Sequence, residues 1–202
     1  MKIAKPIQRL IDSFEKLPGI GPKSAQRLTY YLLHVPQYEL EQFANSLVHL
    51  KKDTVLCSVC KNVSESDPCE IDQDLSRDKS TIAVVEQPLD ILAFEKTRYK
   101  GVYHILHGAI NPLDNVGPDE IYIEDLMIRV KSDGSINEVI IATNPTMEGE
   151  ATAMYLAKKL HELKNGSGLI ITRLGMGIPT GAYLEFADET TMTQAIEGRR
   201  AL

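Results

Sequence analysis

Over the first fifty residues, apolar positions recur at helical spacing. Ile7, Leu10, Ile11 and Phe14 form one stripe, and Leu40, Phe43, Leu47 and Leu50 form another, predicting helices near residues 7–14 and 37–50. Between them, Leu17-Pro-Gly-Ile-Gly-Pro22 is a dense turn signal. A second helix is expected from Pro22 to about His34, with Pro22 at its first position and Pro36 ending it. Residues 53–79 are polar, turn-rich and short of core side chains, so some staple must order them. After Ser80 the pattern changes. Apolar runs at 81–85, 101–106, 139–142 and 168–172 read as strands, with helices over 88–96 and 148–163. That alternation predicts an α/β layer with a mostly parallel sheet. Residues 107–117 form a long loop, and the glycine-rich 172–181 leads into an expected last strand and helix.

Composition adds limits. The 202 residues are 43% hydrophobic and 25% charged, enough to bury a real core in one domain or two small ones. No apolar run approaches the roughly 18 residues of a membrane span, and the first residues carry no signal-peptide core, so a cytoplasmic location is expected. The net charge of -6 is uneven. Lys2, Lys5, Arg9, Lys16, Lys23 and Arg27 against Asp12 and Glu15 give residues 1–35 a charge of +4, leaving -10 for the rest. A basic end on an acidic body suits a local polyanion contact, the remainder facing protein partners. Two basic helices with solvated faces would give the same numbers.

The turn at 17–22 narrows that choice. Gly19 and Gly21 permit left-handed backbone angles and close approach of a phosphate. The N–H groups opening the next helix, with the positive end of its dipole, are placed to receive it. Ala25 lets the helices pack closely, and Lys23 and Arg27 share a helical face. A tight helical hairpin explains the glycines but not the basic residues. The segment from Phe14 to Leu28 resembles the helix-hairpin-helix DNA-binding motif, and that resemblance makes Gly19, Gly21, Lys23 and Arg27 the candidate DNA contacts, to phosphate and without sequence preference.

All three cysteines fall at metal-ligand spacing: Cys57-Ser-Val-Cys60, eight residues, then Cys69-Glu-Ile-Asp72. This is a zinc-ribbon layout with a carboxylate where a fourth thiolate is expected, and zinc accepts carboxylate oxygen. Cys57, Cys60, Cys69 and Asp72 are the candidate ligands of a structural Zn2+, with Asp67, Asp74 and a water as weaker fourth donors. A thioredoxin-like redox pair would need a strand–helix setting that residues 53–79 lack. A relic of a lost site is the other alternative.

Glu86 follows the first strand of the α/β layer, where ligands gather in parallel sheets. A Toprim nuclease or primase pairs such a glutamate with an Asp-x-Asp to hold magnesium. Here the corresponding strand ends in Asn144-Pro145, so the divalent clamp is missing. Glu86, Asp90 and Glu148 are read instead as partner-contact or loop-organising acids. No Lys-Ser/Thr pair follows the glycines at 175–181, which excludes a P-loop.

The blocks LPGIGPKSAQRL, VVEQPLDILAFE, YHILHGAINPLDNVGP, ATNPTMEGEATAMYL, TRLGMGIPTG and IEGRR, with the cysteine ribbon after the first, resemble the RecR family of bacterial recombination mediators along essentially the whole chain. The resemblance implies a helix-hairpin-helix domain (1–52), a zinc finger (53–79), a Toprim domain (80–175) and a C-terminal subunit-joining segment (176–202). It implies ring-like homo-oligomers, dimeric or tetrameric, that clasp DNA and act with RecO and RecF. Together these help load RecA on single strands coated by single-strand-binding protein. Lys23 and Arg27 match the family's DNA-contacting positions, and Glu86 with its neighbouring acids lies on the Toprim face implicated in partner binding. Two departures stand out: Asp72 for the family's fourth cysteine, and Gly175-Met176-Gly177 for its usual Ala-His-Gly. The expectation is a DNA-binding protein that is not an enzyme. The alternative is a Toprim-type metal-dependent nuclease or primase. A hairpin-containing glycosylase lacks its catalytic acid or lysine.

Overall fold

The computed structural model describes residues 3–163 and 168–199; Lys2 and Arg200 lie outside them. Residues 1–54 and 55–202 form two compact units. The first holds three helices, α1 (Lys5–Glu15), α2 (Pro22–Leu32) and α3 (Gln37–His49). Proline opens α1 and α2 within the first turn, where its missing N–H costs nothing. Between them, Ile20 N–H donates to Leu17 C=O at 3.1 Å, and Gly19 sits at φ +79°. With Pro18 before it, this is the chemistry of a type II turn. Ala25, fully buried, lies where α1 and α2 pack, with Ile11 and Thr29 the other buried positions of this unit's helices.

The second unit opens with a two-stranded antiparallel hairpin, β1 (Val55–Leu56) and β2 (Val63–Ser64), followed by the short helix α4 (Glu70–Gln73). It continues as β3 (Asp78–Val85), α5 (Ile91–Glu95), β4 (Gly101–Ile105), α6 (Ile123–Ser132), β5 (Glu138–Ile141), α7 (Met147–Leu163), β6 (Ile170–Arg173) and α8 (Glu189–Glu197). The four long strands pair in parallel in the order β4-β3-β5-β6.

A parallel sheet needs cover on both faces, because its apolar strands leave neither face fit for water. Along β3 the side chains divide by parity. Ile82 and Val84 join Val102, Val139, Ile141 and the helix residues Leu126, Leu156 and Leu160 in one apolar cluster. Ala83 and Val85 face the other way, toward Tyr103, Ile105, Ile91 and all three cysteines. Helices α6 and α7 thus cover one face. The cysteine knuckle, with α5, covers the other.

Two expectations need correction. Residues 123–132 form α6, which the sequence reading omitted although Ile123, Leu126, Met127 and Val130 have helical spacing. The preceding Ile121-Tyr-Ile123 alternates like a strand and blurs the helix start. Among the described residues no strand follows β6; the tail makes a 3-10 turn (Leu184–Phe186) and then α8, capped by Asp188, whose carboxylate accepts from Thr191 N–H at 2.8 Å. The loop at 107–117 is more ordered than its length suggests. Asn111 and Val116 form a bridge around a 3-10 turn whose N–H groups the Asn111 side chain accepts. No described helix is long and apolar enough to cross a membrane.

Leu126 is fully buried where α6 meets the sheet. Leu126→Ala is expected to lower unfolding free energy by about 2–5 kcal/mol. Urea denaturation checks this, and a loss under 1 kcal/mol would mean that α6 does not close this core.

Candidate metal centre and nucleic-acid interface

The antiparallel hairpin β1–β2 places Cys57 and Cys60 at its tip, a knuckle that turns both thiols inward. Cys57 N–H donates to Asn62 C=O at 2.8 Å, and Lys61 N–H donates back to Cys57 C=O at 3.0 Å with Lys61 at φ +63°. Cys69 precedes α4, whose first turn brings Asp72 beneath it. The four ligand atoms lie within 4.8 Å of one another and all four residues are buried. Cys60 Sγ is 3.4 Å from Cys69 Sγ, and Asp72 Oδ2 is 3.2 Å from the thiols of both Cys57 and Cys69.

These distances fit a tetrahedral ion. Zinc–sulfur bonds of about 2.3 Å separate neighbouring sulfurs by roughly 3.8 Å. The electrostatics also fit. Hydrogen bonding to Cys69 and burial hold the Cys60 thiol far above its ordinary range, and burial raises Cys57. Cys69, which accepts that hydrogen bond, is lowered to about 7. A buried set in which ionising one thiol suppresses ionisation of the next is what a divalent cation relieves. Asp72 uses Oδ2 for the thiols and turns Oδ1 toward Arg129, 3.5 Å from its guanidinium. The same arginine donates to Tyr103 C=O at 2.7 Å, tying the fourth ligand to the sheet. Arg129 lies 57 residues beyond Asp72, and nothing in the local pattern points to it. Asp67 and Asp74 are elsewhere. Asp67 accepts from Ser58 N–H at 2.7 Å and Asp74 from Ser76 N–H at 2.8 Å, which lowers the pKa of each, and both are exposed.

The knuckle is also sewn to the strand ends. Ile105 N–H donates to Cys60 C=O at 2.9 Å, the His107 ring meets Lys61 C=O at 2.6 Å, and Lys61 pairs with Asp125 at 2.6 Å.

At the carboxyl ends of the strands, the expected acids part company. Glu86 is 8% exposed and points inward. Its carboxylate accepts from Asn144 backbone N–H at 2.8 Å and from Asn144 Nδ2 at 2.7 Å. These hydrogen bonds fit the loop-organising role among the two expected of Glu86. Asparagine supplies donors where an aspartate would supply a second negative charge. The carboxylate is satisfied by the protein itself, with no cation needed. Gly149 backs this contact: a Cβ there would lie 2.0 Å from Asn144 C=O and 2.8 Å from Glu86 Oε1. Arg173, which the sequence reading passed over, donates to Ile141 and Thr143 carbonyls at 2.9 and 2.7 Å and pairs with Glu150 at 2.6 Å. Asp90 accepts from Gln87 N–H at 2.8 Å, capping a 3-10 turn, and remains partly exposed, as does Glu148.

In the helical unit, Gly21 caps α2 with extended angles (φ -85°, ψ 170°), so only Gly19 uses the left-handed freedom expected of both. A Cβ at Gly21 would meet nothing within 4 Å, and no side chain caps the helix. The amides that open α2 thus receive no side-chain acceptor from Gly21. Lys23 and Arg27 are exposed, and neither forms an ion pair among the described residues.

Comparison with known proteins divides the chain in a similar way. The family described as "RecR, helix-hairpin-helix" matches residues 7–51, "Toprim domain" matches 80–175, and "RecR, C-terminal" matches 177–200. The chain is 50% identical over 200 residues to Recombination protein RecR of Heliobacterium modesticaldum, covering 98% of each chain. It is 48% identical over 203 residues to Recombination protein RecR of Lactobacillus johnsonii, covering both completely.

Two tests address this geometry. Asp72→Cys should slow zinc loss to a chelator and Asp72→Ala should hasten it, by roughly tenfold for a lost ligand or partner. Metal content followed by a colorimetric zinc reporter decides, and indifference to both changes would remove Asp72 from the ligand set. Asn144→Asp places a second carboxylate against Glu86. The pair's folded pKa then rises above its unfolded value, so the penalty is absent in acid and grows as pH rises to neutrality. At pH 7 the variant should lose about 1–3 kcal/mol and recover it in magnesium. A melting temperature equal to wild type, with or without magnesium, would refute this.

Proposed function

We propose, from the premise that the chain belongs to the RecR family of recombination proteins, that it is a DNA-binding mediator of recombinational repair and not an enzyme. The observation that carries the DNA-binding part is the pair Lys23 and Arg27, exposed and without an ion pair among the described residues, beside a helix start that no side chain caps. Phosphate contacts of this kind hold any sequence and weaken with salt. Gly19 sets the turn that presents them, and Gly21 leaves the backbone open to close approach.

The absence of catalysis rests on Glu86. Phosphoryl chemistry at this position needs a carboxylate free to hold a divalent ion. Here both carboxylate oxygens accept from Asn144, and no Asp-x-Asp follows. Zinc at Cys57, Cys60, Cys69 and Asp72 is structural on this reading. Four protein ligands leave no open position for substrate.

The finer assignment follows the family. Residues 1–52 contact DNA, 53–79 form the zinc finger, 80–175 the Toprim domain and 176–202 a subunit contact. The protein works in the cytoplasm as a ring-like homo-oligomer with RecO and RecF, loading RecA on single strands. Asp90 and Glu148, the acids left partly exposed near the strand ends, are the partner-facing residues.

Lys23→Ala with Arg27→Ala should weaken DNA binding equally across sequences. The salt slope should fall by about 1.4 on single strands, from two lost phosphate contacts. Fluorescence anisotropy over a salt series measures both. Unchanged binding at moderate salt would exclude the hairpin, and magnesium-dependent cleavage abolished by Glu86→Ala would establish the nuclease reading instead.

A further inference from the structure

Helix α2 carries Lys23, Arg27 and Tyr31 four residues apart, so the three follow one stripe of its surface. The first two are accounted for by phosphate. The third is not. Tyr31 is 67% exposed, unusual for a large aromatic side chain on a helix with buried positions of its own. Beside it lies an open concavity of about 450 Å³, lined by Ile20, Ser24, Arg27, Leu28 and Tyr31. On the other flank, Tyr31 and Leu28 also border a smaller hollow of about 180 Å³ with Phe14, Leu32 and Phe43. Tyr31, with Leu28, thus borders both recesses.

Phosphate recognition uses donors and positive charge, which Lys23, Arg27 and the helix start provide. It gains nothing from an aromatic face or from leucine and isoleucine. A nucleobase uses both: a π-face to stack on and an apolar floor, with a hydroxyl able to meet its polar edge. We propose that the concavity is a base pocket, in which one unpaired nucleobase of a bound strand stacks on Tyr31 while Arg27 holds an adjacent phosphate. Ser24 supplies the polar contact at the rim. Bases in a duplex are already stacked and paired, so the pocket selects single strands, and stacking accepts every base. This rests on the reading of the hairpin as a DNA contact and adds what that reading lacks, a reason to prefer one form of DNA.

The experiment compares two probes of equal phosphate number, oligo-dT and an abasic strand, on the full-length protein at one salt concentration. Wild type should bind oligo-dT about tenfold more tightly than the abasic strand, the gain of one stacked base. Tyr31→Ala should erase that ratio and Tyr31→Phe should keep it. Lys23→Ala with Arg27→Ala should weaken both probes together and leave the ratio intact, so a failed pocket and a failed hairpin give different results. Equal wild-type affinities for the two probes would overturn the pocket. So would a Tyr31→Ala protein that changes its sedimentation coefficient and loses both probes in parallel, since that face would then be a contact between copies of the chain.

Discussion

Three thiols and a carboxylate buried under a β-sheet are unfavourable company unless something positive joins them, and much of the second unit is arranged around that requirement. The sheet needs cover on both faces. Helices supply it on one, and on the other the cover is a short knuckle with few apolar side chains of its own. Cys57, Cys60 and Cys69 take the places that leucines would take in a helix, packing on Ala83, Val85 and Ile105. Charge balance is shared with the scaffold. Four ligand charges would be offset in part by a bound divalent ion and in part by Arg129, which also holds the Tyr103 carbonyl. Metal retention and sheet stability are thereby parts of one equilibrium.

The opposite logic governs the strand ends. There a buried glutamate meets an amide rather than a second acid, and the loop after β5 is closed by hydrogen bonds from Asn144 and Arg173. One functional group, Nδ2 in place of an oxygen, converts the geometry of a cation clamp into an internal brace.

Much of this was legible in the sequence because the signals were local. The cysteine spacing named all four members of the cluster, and Pro-Gly-Ile-Gly-Pro located the hairpin turn. What escaped depended on distant partners. An acid after a strand looks solvent-facing until residue 144 folds back on it, and Arg129 and Arg173 are ordinary basic residues until their carbonyls are known. Helix α6 was missed for a different reason. Its stripe is clear from Ile123 onward, but the two isoleucines at 121 and 123 imitate strand alternation at its start. The expected tail strand did not form although β6 leaves an edge of the described sheet open; a 3-10 turn and α8 stand in its place.

The order of ligands along the chain has a kinetic meaning. Cys57 through Asp72 close a loop of some fifteen residues, whereas β3 must wait for partners 20 and 60 residues away. Short loops close at small entropic cost, and parallel pairings across long crossovers come late. During synthesis the knuckle therefore leaves the ribosome complete before any of the sheet it will cover exists. Its loop is the first closure open to the second unit, and the contacts from Ile105, Asp125 and Arg129 that hold it can form only after it.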